Sequence, residues 1–436
     1  MVLLQNFWNI FRVPELKNKL FFTLFVLIVF RLGAFIPVAG IDVARLAEIV
    51  KTSEGVGGLL KYLDVFSGNA LSQCMVFALG ISPYIMASIM FQLLTMTIPF
   101  LEELSKEGEY GRKVINQYTR YFALGLSIVY GSVFLSFLEV YQLVLNPGFG
   151  FRLFFLLTVV TGAMIVMWLG EQISLHGLGS GSSVLIFASI VARLPHDIVK
   201  TIDAVSFGNM SLVAAIFVLL LFLAVGACIV FIEKGERKIP VQYARRIVGQ
   251  KVYGGQSSYI PFKLNPAGVM PAIMTSSALQ IPRFLIGALS SRLPVLKGVV
   301  DALHTKGFLY NSLTFALIVF FTYVYTAVIF NPIELADNLK KGGGFIVGIR
   351  PGKQTADYFD FLLNRMGLVG ALYLGVLVLI PNILESFMYV PFQLGGTSLL
   401  ILVGVALELA AQTESYLIEY RYGSFLKSGR MRSRSV

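Results

Sequence analysis

The sequence predicts an all-α polytopic membrane protein, with ten transmembrane helices in two inverted five-helix halves. Three observations predict it. Hydrophobic residues make up 56% of the 436 and charged ones only 14%, whereas soluble domains carry about 25% charged residues. Ten apolar runs are long enough, or nearly so, to cross roughly 30 Å of hydrocarbon. A nonamer, GISPYIMAS at Gly80–Ser88, returns without a gap as GVMPAIMTS at Gly268–Ser276, sharing Gly, Pro, Ile, Met and Ser in register.

The chain opens with Met1–Lys19, where Leu3, Phe7, Ile10 and Phe11 recur at helical spacing and Trp8 suits the headgroup level. The pattern reads as a short interfacial helix and not as a cleavable signal peptide. The runs follow at Leu20–Ile36, Leu71–Met96, Tyr121–Leu138, Leu153–Leu169, Ser183–Leu194, Leu212–Ile232, Val269–Leu289, Leu313–Phe330, Met366–Pro381 and Ser398–Ala411. The fifth and tenth are short and need tilt or less apolar flanks to span. Backbone groups in lipid must bond within their own segment, so the runs are expected as helices. The halves are placed at 1–200 and 201–416, followed by a basic cytoplasmic tail, 417–436.

Orientation follows from the basic residues. About two thirds of the 35 Lys and Arg fall in the N-terminus, the even-numbered loops and the C-terminus, which the positive-inside rule places in the cytoplasm. An odd number of spans per half then gives the halves opposite topology. The two nonamers approach the membrane midplane from opposite sides, the arrangement of an inverted repeat. Each nonamer interrupts an apolar run with Gly, Pro and small hydroxyl residues. Two readings fit: a working site between related halves, or the ordinary frequency of Gly and Pro in membrane helices.

Between the first and second spans, Gly55–Gln73 is moderately apolar and broken by Gly. It is either a plain external loop or a short helix folded back into the protein, with Leu59, Leu60, Leu63 and Phe66 at helical spacing. Two cytoplasmic loops are large. Glu233–Lys263 alternates β-branched and aromatic residues between Gly turns at Val241–Tyr243 and Val252–Tyr259, as a hairpin does. Asn331–Arg365 contains KKGGGFIVGIRPGKQTADY. Loops this long are functional or disordered, and the interleaved aromatics favour a structured docking surface over solvated basic ballast. The net charge of +11 is read in the same terms, as topology and membrane-surface binding.

Several chemistries lack their residues. There is no HExxH, Walker A, CxxC or GxSxG motif, and the run GLGSGSS at Gly177–Ser183 lacks the lysine of a phosphate loop. His176, His196 and His304 fall in expected loops and read as surface residues. Cys74 and Cys228 read as unpaired core residues. Arg31, Glu139, Arg152 and Glu171 lie at span ends, and Glu408 is the single carboxylate well inside a span, where a structural hydrogen bond to a neighbouring helix accounts for it. No catalytic residue, cofactor or metal is expected. A small-solute transporter also explains ten spans and inverted repeats, but the scarcity of midplane charge and the two basic loops count against it.

Taken together, FRLGAFIPVAGID at Phe30–Asp42, LDVFSGNALSQ, ALGISPYIMASI, GRKVINQYTRY, WLGEQISLHGLGSGSS, NPAGVMPAIM, GIRPGKQTADY and GGTSLLILVGV closely resemble the SecY family of protein translocase channels. The similarity runs in order through nearly the whole chain and looks most like the bacterial-type branch. Ala39 departs from it, standing where the family commonly has proline, and the segment between the third and fourth spans is short for the family. The resemblance implies a clamshell of two halves around an hourglass pore that conducts unfolded secretory polypeptides. It implies a collar of Ile81, Ile85, Ile186, Ile190, Ile273 and Ile401 at the constriction. Leu59, Leu60, Leu63 and Phe66 would belong to the plug. Met86 and Ile281 would face each other across a lateral gate that releases signal peptides and transmembrane helices into the lipid bilayer. Arg237, Lys238, Arg245, Arg246, Arg350 and Lys353 would dock the SecA motor ATPase or the ribosome. SecE and SecG are the expected companion subunits, and nascent polypeptides the cargo. The implied location is the plasma (inner) membrane, multi-pass, with both termini cytoplasmic.

Overall fold

The computed structural model describes residues 13–43, 45, 46, 67, 68, 70–208, 210–243, 246–248, 251–253, 257–279, 307–387 and 395–428. Its helices are α1 (Pro14–Gly33), α2 (Ser82–Thr97), α3 (Pro99–Lys106), α4 (Glu109–Val140), α5 (Phe149–His176), α6 (Gly181–Ser206) and α7 (Leu212–Glu233). They continue with α8 (270–279), α9 (Phe308–Ile329), α10 (Pro332–Lys341), α11 (Lys353–Phe387) and α12 (Gly396–Ser428). Strands β1 (Glu236–Tyr243), β2 (Arg246–Val248), β3 (Lys251–Tyr253), β4 (Ser257–Lys263) and β5 (Gly344–Ile346) lie in the two large loops. Among the described residues, seven helices are long and apolar enough to cross a membrane, and α2 with α3 makes an eighth, bent by 97°. The remaining two expected spans are α1 and the one that begins with α8.

Two compact units result, one of Met1–Val199, Phe284–Lys297 and Ile401–Val436, the other of Lys200–Arg283 and Gly298–Leu400. In the first unit, α4 and α5 are tied at both ends by ion pairs. Arg152 meets Glu139 through two contacts, at 2.7 and 3.1 Å, and Arg120 meets Glu171 at 2.7 Å. Of the charges placed at span ends, Glu139, Arg152 and Glu171 therefore serve helix pairing. The α3–α4 corner turns at Gly108, whose φ of 79° suits glycine. It closes on Gly111, where a Cβ would stand 1.6 Å from the Leu104 carbonyl oxygen. Gly111→Ala is expected to cost roughly 3 kcal/mol, the upper end for overpacking, and thermal unfolding of the detergent-solubilised protein checks it.

The glycine run Gly177–Ser183 has a packing role. Thr23 of α1 accepts a hydrogen bond from the Leu178 N–H at 3.0 Å, and Gln412 of α12 accepts one from the Gly179 N–H at 2.8 Å. A Cβ at Gly177 would meet Thr23 Oγ1 at 2.6 Å, and one at Gly181 would meet the Gly170 carbonyl oxygen at 1.7 Å. Glycine is needed because α1, α5 and α12 crowd this loop. Beneath it Val13, Leu16 and Leu178 form a buried cluster with Leu409 and Tyr416 against it.

In the second unit, β1 is the centre of a three-stranded sheet in the order β4-β1-β5. It pairs antiparallel with β4, Ile239 opposite Ile260, and with β5, Val241 opposite Ile346. The expected hairpin is thus longer than its sequence pattern, running from Glu236 opposite Lys263 out to the β2–β3 tip. Ile239 and Val241 point inward to Phe262, Leu339, Ile346, Phe359 and Leu363. The two large loops share one core. Phe359 is 1% exposed, so Phe359→Ala should cost about 3–5 kcal/mol; a loop-specific rise in proteolysis would report it.

Some boundaries differ from expectation for physical reasons. α1 already begins at Pro14, so 14–19 belong to the first span, while 1–12 lie outside the described residues. The second helix starts at Ser82 and not near Leu71. Residues 70–81 form turns whose backbone bonds to 36–38, with Val76 N–H donating to Ile36 O and Val38 N–H to Cys74 O. The fifth span, α6, runs on to Ser206, through Pro195. There Arg193 and Asp197 pair at 3.4 Å with side chains only 8% and 3% exposed. His196 lies in that helix and is exposed, His176 ends α5 with its ring edge-on to Phe22, and His304 is outside the described residues. Both cysteines are free; Cys74 is buried, but Cys228 is exposed on α7 and so is no core residue.

Candidate functional site

The two nonamers fold alike. Each starts on a glycine in the left-handed region, Gly80 at φ 54° and Gly268 at φ 60°. Each proline, Pro83 and Pro271, is then the second residue of a helix, in α2 and α8. Proline fits there because the first turn has no intrahelical partner for its missing N–H. The prolines start helices; they do not kink them. The left-handed glycine re-aims the chain immediately before each start.

One turn into each helix stands an isoleucine. Ile85 N–H donates to Ile81 O at 3.1 Å, and Ile273 N–H donates to Val269 O at 3.3 Å. Ile81 is 2% exposed, Ile85 9%, Ile186 and Ile190 1% each, Ile273 3% and Ile401 fully buried. Ile81, Ile85, Ile186, Ile190 and Ile401 belong to the first unit, and Ile273 to the second. Ile81 and Leu185 converge on Gly170, where a Cβ would stand 3.2 Å from Ile81 Cδ1 and 3.3 Å from Leu185 Cδ1. The hydroxyls near Ile273 turn inward along their own helix. Thr275 donates to the Pro271 carbonyl and Ser276 to the Ile273 carbonyl, each at 2.8 Å. These bonds consume their donors and leave the helix surface mainly apolar.

Other sequence-singled residues separate by location. Met86 is half-buried on α2. Ile281 and the segment residues Leu59, Leu60, Leu63 and Phe66 lie outside the described residues, as does Arg245. Arg246 is placed by its backbone on β2. Arg237 and Lys238 are exposed on β1, with the Lys238 ammonium 4.7 Å from the Tyr259 ring centroid. Arg350 is exposed on the turn that leads from β5 into α11, and Lys353 is exposed as the first residue of α11. Gly348 at φ 85° and Gly352 at φ 110° shape that turn, and the Thr355 hydroxyl donates to the Arg350 carbonyl at 3.0 Å. Sequence reading did not anticipate α10 and β5, which bring this turn onto the sheet of the other loop.

The comparisons with known proteins bear on the whole chain. The SecY family profile matches residues 75–410. The chain belongs to the SecY family. It is 44% identical over 424 residues to the protein translocase subunit SecY of Escherichia coli strain K12, covering 96% of this chain and 95% of that one. The Thermus thermophilus SecY is 41% identical over 441 residues, covering 99% and 100%. Among solved structures, the SecY-family fold recurs in one described as "The structure of a protein conducting channel", with a TM-score of 0.66, 17% identity and 95% coverage of both chains. Another, of Sec61 in a canine ribosome-channel complex from the endoplasmic reticulum, matches with a TM-score of 0.62, 15% identity and 95% coverage of both chains. The nonamers, the clasped α4–α5 pair and the shared loop core are therefore features of a SecY-family chain.

Proposed function

We propose that this chain is the protein-conducting subunit of a Sec translocase. It passes unfolded secretory polypeptides across the membrane and releases signal and transmembrane helices sideways into lipid. The observation that carries this is the pair of matching helix starts, each with a buried isoleucine one turn in, within a chain 44% identical to a named translocase subunit. Ile81, Ile85, Ile186, Ile190, Ile273 and Ile401 act as the collar. A narrow apolar ring dewets and blocks ions, and its side chains part around a peptide without breaking hydrogen bonds. Met86 and Ile281 line the lateral gate, where methionine adapts to signal helices of varied shape. Each CH₂ a signal helix moves from water to lipid contributes about 0.8 kcal/mol, which drives its release.

Driving energy comes from the partner. The exposed Arg237, Lys238, Arg350 and Lys353, joined by Arg245 and Arg246, offer guanidinium and ammonium groups to the carboxylates of the SecA motor ATPase or the phosphates of ribosomal RNA. One fold neighbour was solved bound within a ribosome-channel complex, which supports the second partner. SecE and SecG complete the assembly, both termini are cytoplasmic, and the Leu59, Leu60, Leu63 and Phe66 segment serves as the plug. Purification from native membranes without crosslinker is expected to recover SecE-like and motor proteins with this chain. Recovery of the chain alone, with accumulation of a small solute in its proteoliposomes, would favour a transporter instead.

A further inference from the structure

The first span ends on an arginine that the collar and gate leave without a task. Arg31 lies in the last turn of α1, where a cation suits the helix C-terminus. Its Nη1 donates to the Gly68 carbonyl oxygen at 3.0 Å, and its guanidinium carbon lies 4.7 Å from the centroid of the Phe35 ring. Gly68 is in the left-handed region at φ 65° and buried. A Cβ there would stand 3.4 Å from both Arg31 Nη1 and the Cα of Ser189. The Ser67–Gly68 turn is thus held between the guanidinium of α1 and the backbone of α6. Ser189 immediately precedes Ile190. It is 1% exposed, and its hydroxyl donates to the Leu185 carbonyl at 3.0 Å, so that donor is spent within α6.

The rest of the turn is equally tight. Ser67 is 4% exposed and its hydroxyl oxygen accepts from the Leu71 N–H at 3.2 Å, while Ala70 is fully buried among Ala34 and Met75. A planar guanidinium can donate to a carbonyl and lie on a ring at once, which an ammonium cannot do in the same geometry.

We propose that Arg31 is a positioning residue for the resting seal, pinning the Ser67–Gly68 turn against α6 beside Ile190. This rests on the channel reading above. When the Arg31–Gly68 bond is made, the turn backs the collar helix; when it is lost, the turn leaves α6 and ions pass. The chain reports on itself here, because Cys74 is fully buried on the segment that follows the turn. Cys228→Ser leaves it as the sole thiol of the two.

The test uses the full chain in its native complex with Cys228→Ser, carrying Arg31→Met, Arg31→Lys or Phe35→Leu, with Ile85→Asn as reference. Resting ion conductance in planar bilayers and the rate of Cys74 alkylation by N-ethylmaleimide are measured on each. Arg31→Met is expected to raise both about tenfold as the apolar collar wets. Arg31→Lys keeps a donor but not the simultaneous ring contact and should restore part of the seal, a rescue that general loosening of the fold would not give. Phe35→Leu, at a ring already 61% exposed, should leak to an intermediate degree and covers the case in which Arg31→Met does not assemble. Wild-type conductance in Arg31→Met, or in Phe35→Leu where the former is not obtained, while Ile85→Asn leaks, overturns the role of Arg31 and spares the channel. Wild-type conductance in Ile85→Asn as well sinks the channel reading itself.

Discussion

Ile85→Asn raises the resting ion conductance of the purified complex in planar bilayers by at least about tenfold, the expected consequence of putting an amide into a dewetting constriction. Ile85 stands one turn into α2, with its backbone N–H already committed to Ile81 and its side chain 9% exposed. The substitution shortens the side chain and adds two donors and an acceptor that call for water. Ile273→Asn, at the matching place in α8 and 3% exposed, should act in the same direction. A buried polar group without a partner also costs about 1–3 kcal/mol, so both variants lose some stability. Ile229→Asn separates the two effects. That residue is 1% exposed on α7, outside the proposed collar, and its variant should lose stability without leaking. Unchanged conductance in both collar variants would remove the isoleucines from the constriction.

Arg350→Glu is expected to abolish partner-driven translocation while leaving insertion of the chain intact. The residue is exposed on a turn whose path is set by Gly348, Gly352 and the Thr355 hydroxyl bond, so reversing its charge leaves the backbone undisturbed. Losing one member of a desolvated interfacial charge pair costs roughly 2–5 kcal/mol, enough to reduce transport about thirtyfold or more. Entry of a reporter preprotein into inverted membrane vesicles, driven by the motor ATPase, gives the measurement. Transport at the wild-type rate would take Arg350 out of the docking surface.

The architecture was readable wherever it rests on apolar periodicity, and unreadable wherever a long-range contact decides. Leu212–Ile232 predicts α7 nearly to the residue because nothing in that run competes with a helix in lipid. Leu71–Leu79 is mostly apolar too, yet it is no helix, since its backbone bonds to a stretch some forty positions earlier. The fifth span looked short because Pro195 and Asp197 interrupt its pattern. The helix continues through them, and Arg193 supplies the countercharge from one turn away. The paired nonamers announced related helix starts, but not that their prolines sit in first turns; the positive φ of Gly80 and Gly268 carries that information. Arg31 could only have been found through Gly68, a contact across 37 residues that no local pattern encodes.

The sheet shared by the two large loops also sets an order of biogenesis. β1 and β4 are made first, by Lys263, but β5, the other neighbour of β1, begins only at Gly344. Phe359 and Leu363, which close the core beneath Ile239 and Val241, come later still. A nascent chain therefore cannot complete this platform until α9 has been synthesised and α11 begun. Half-made copies lack the finished surface, so any partner that docks on it meets it only once nearly the whole chain exists.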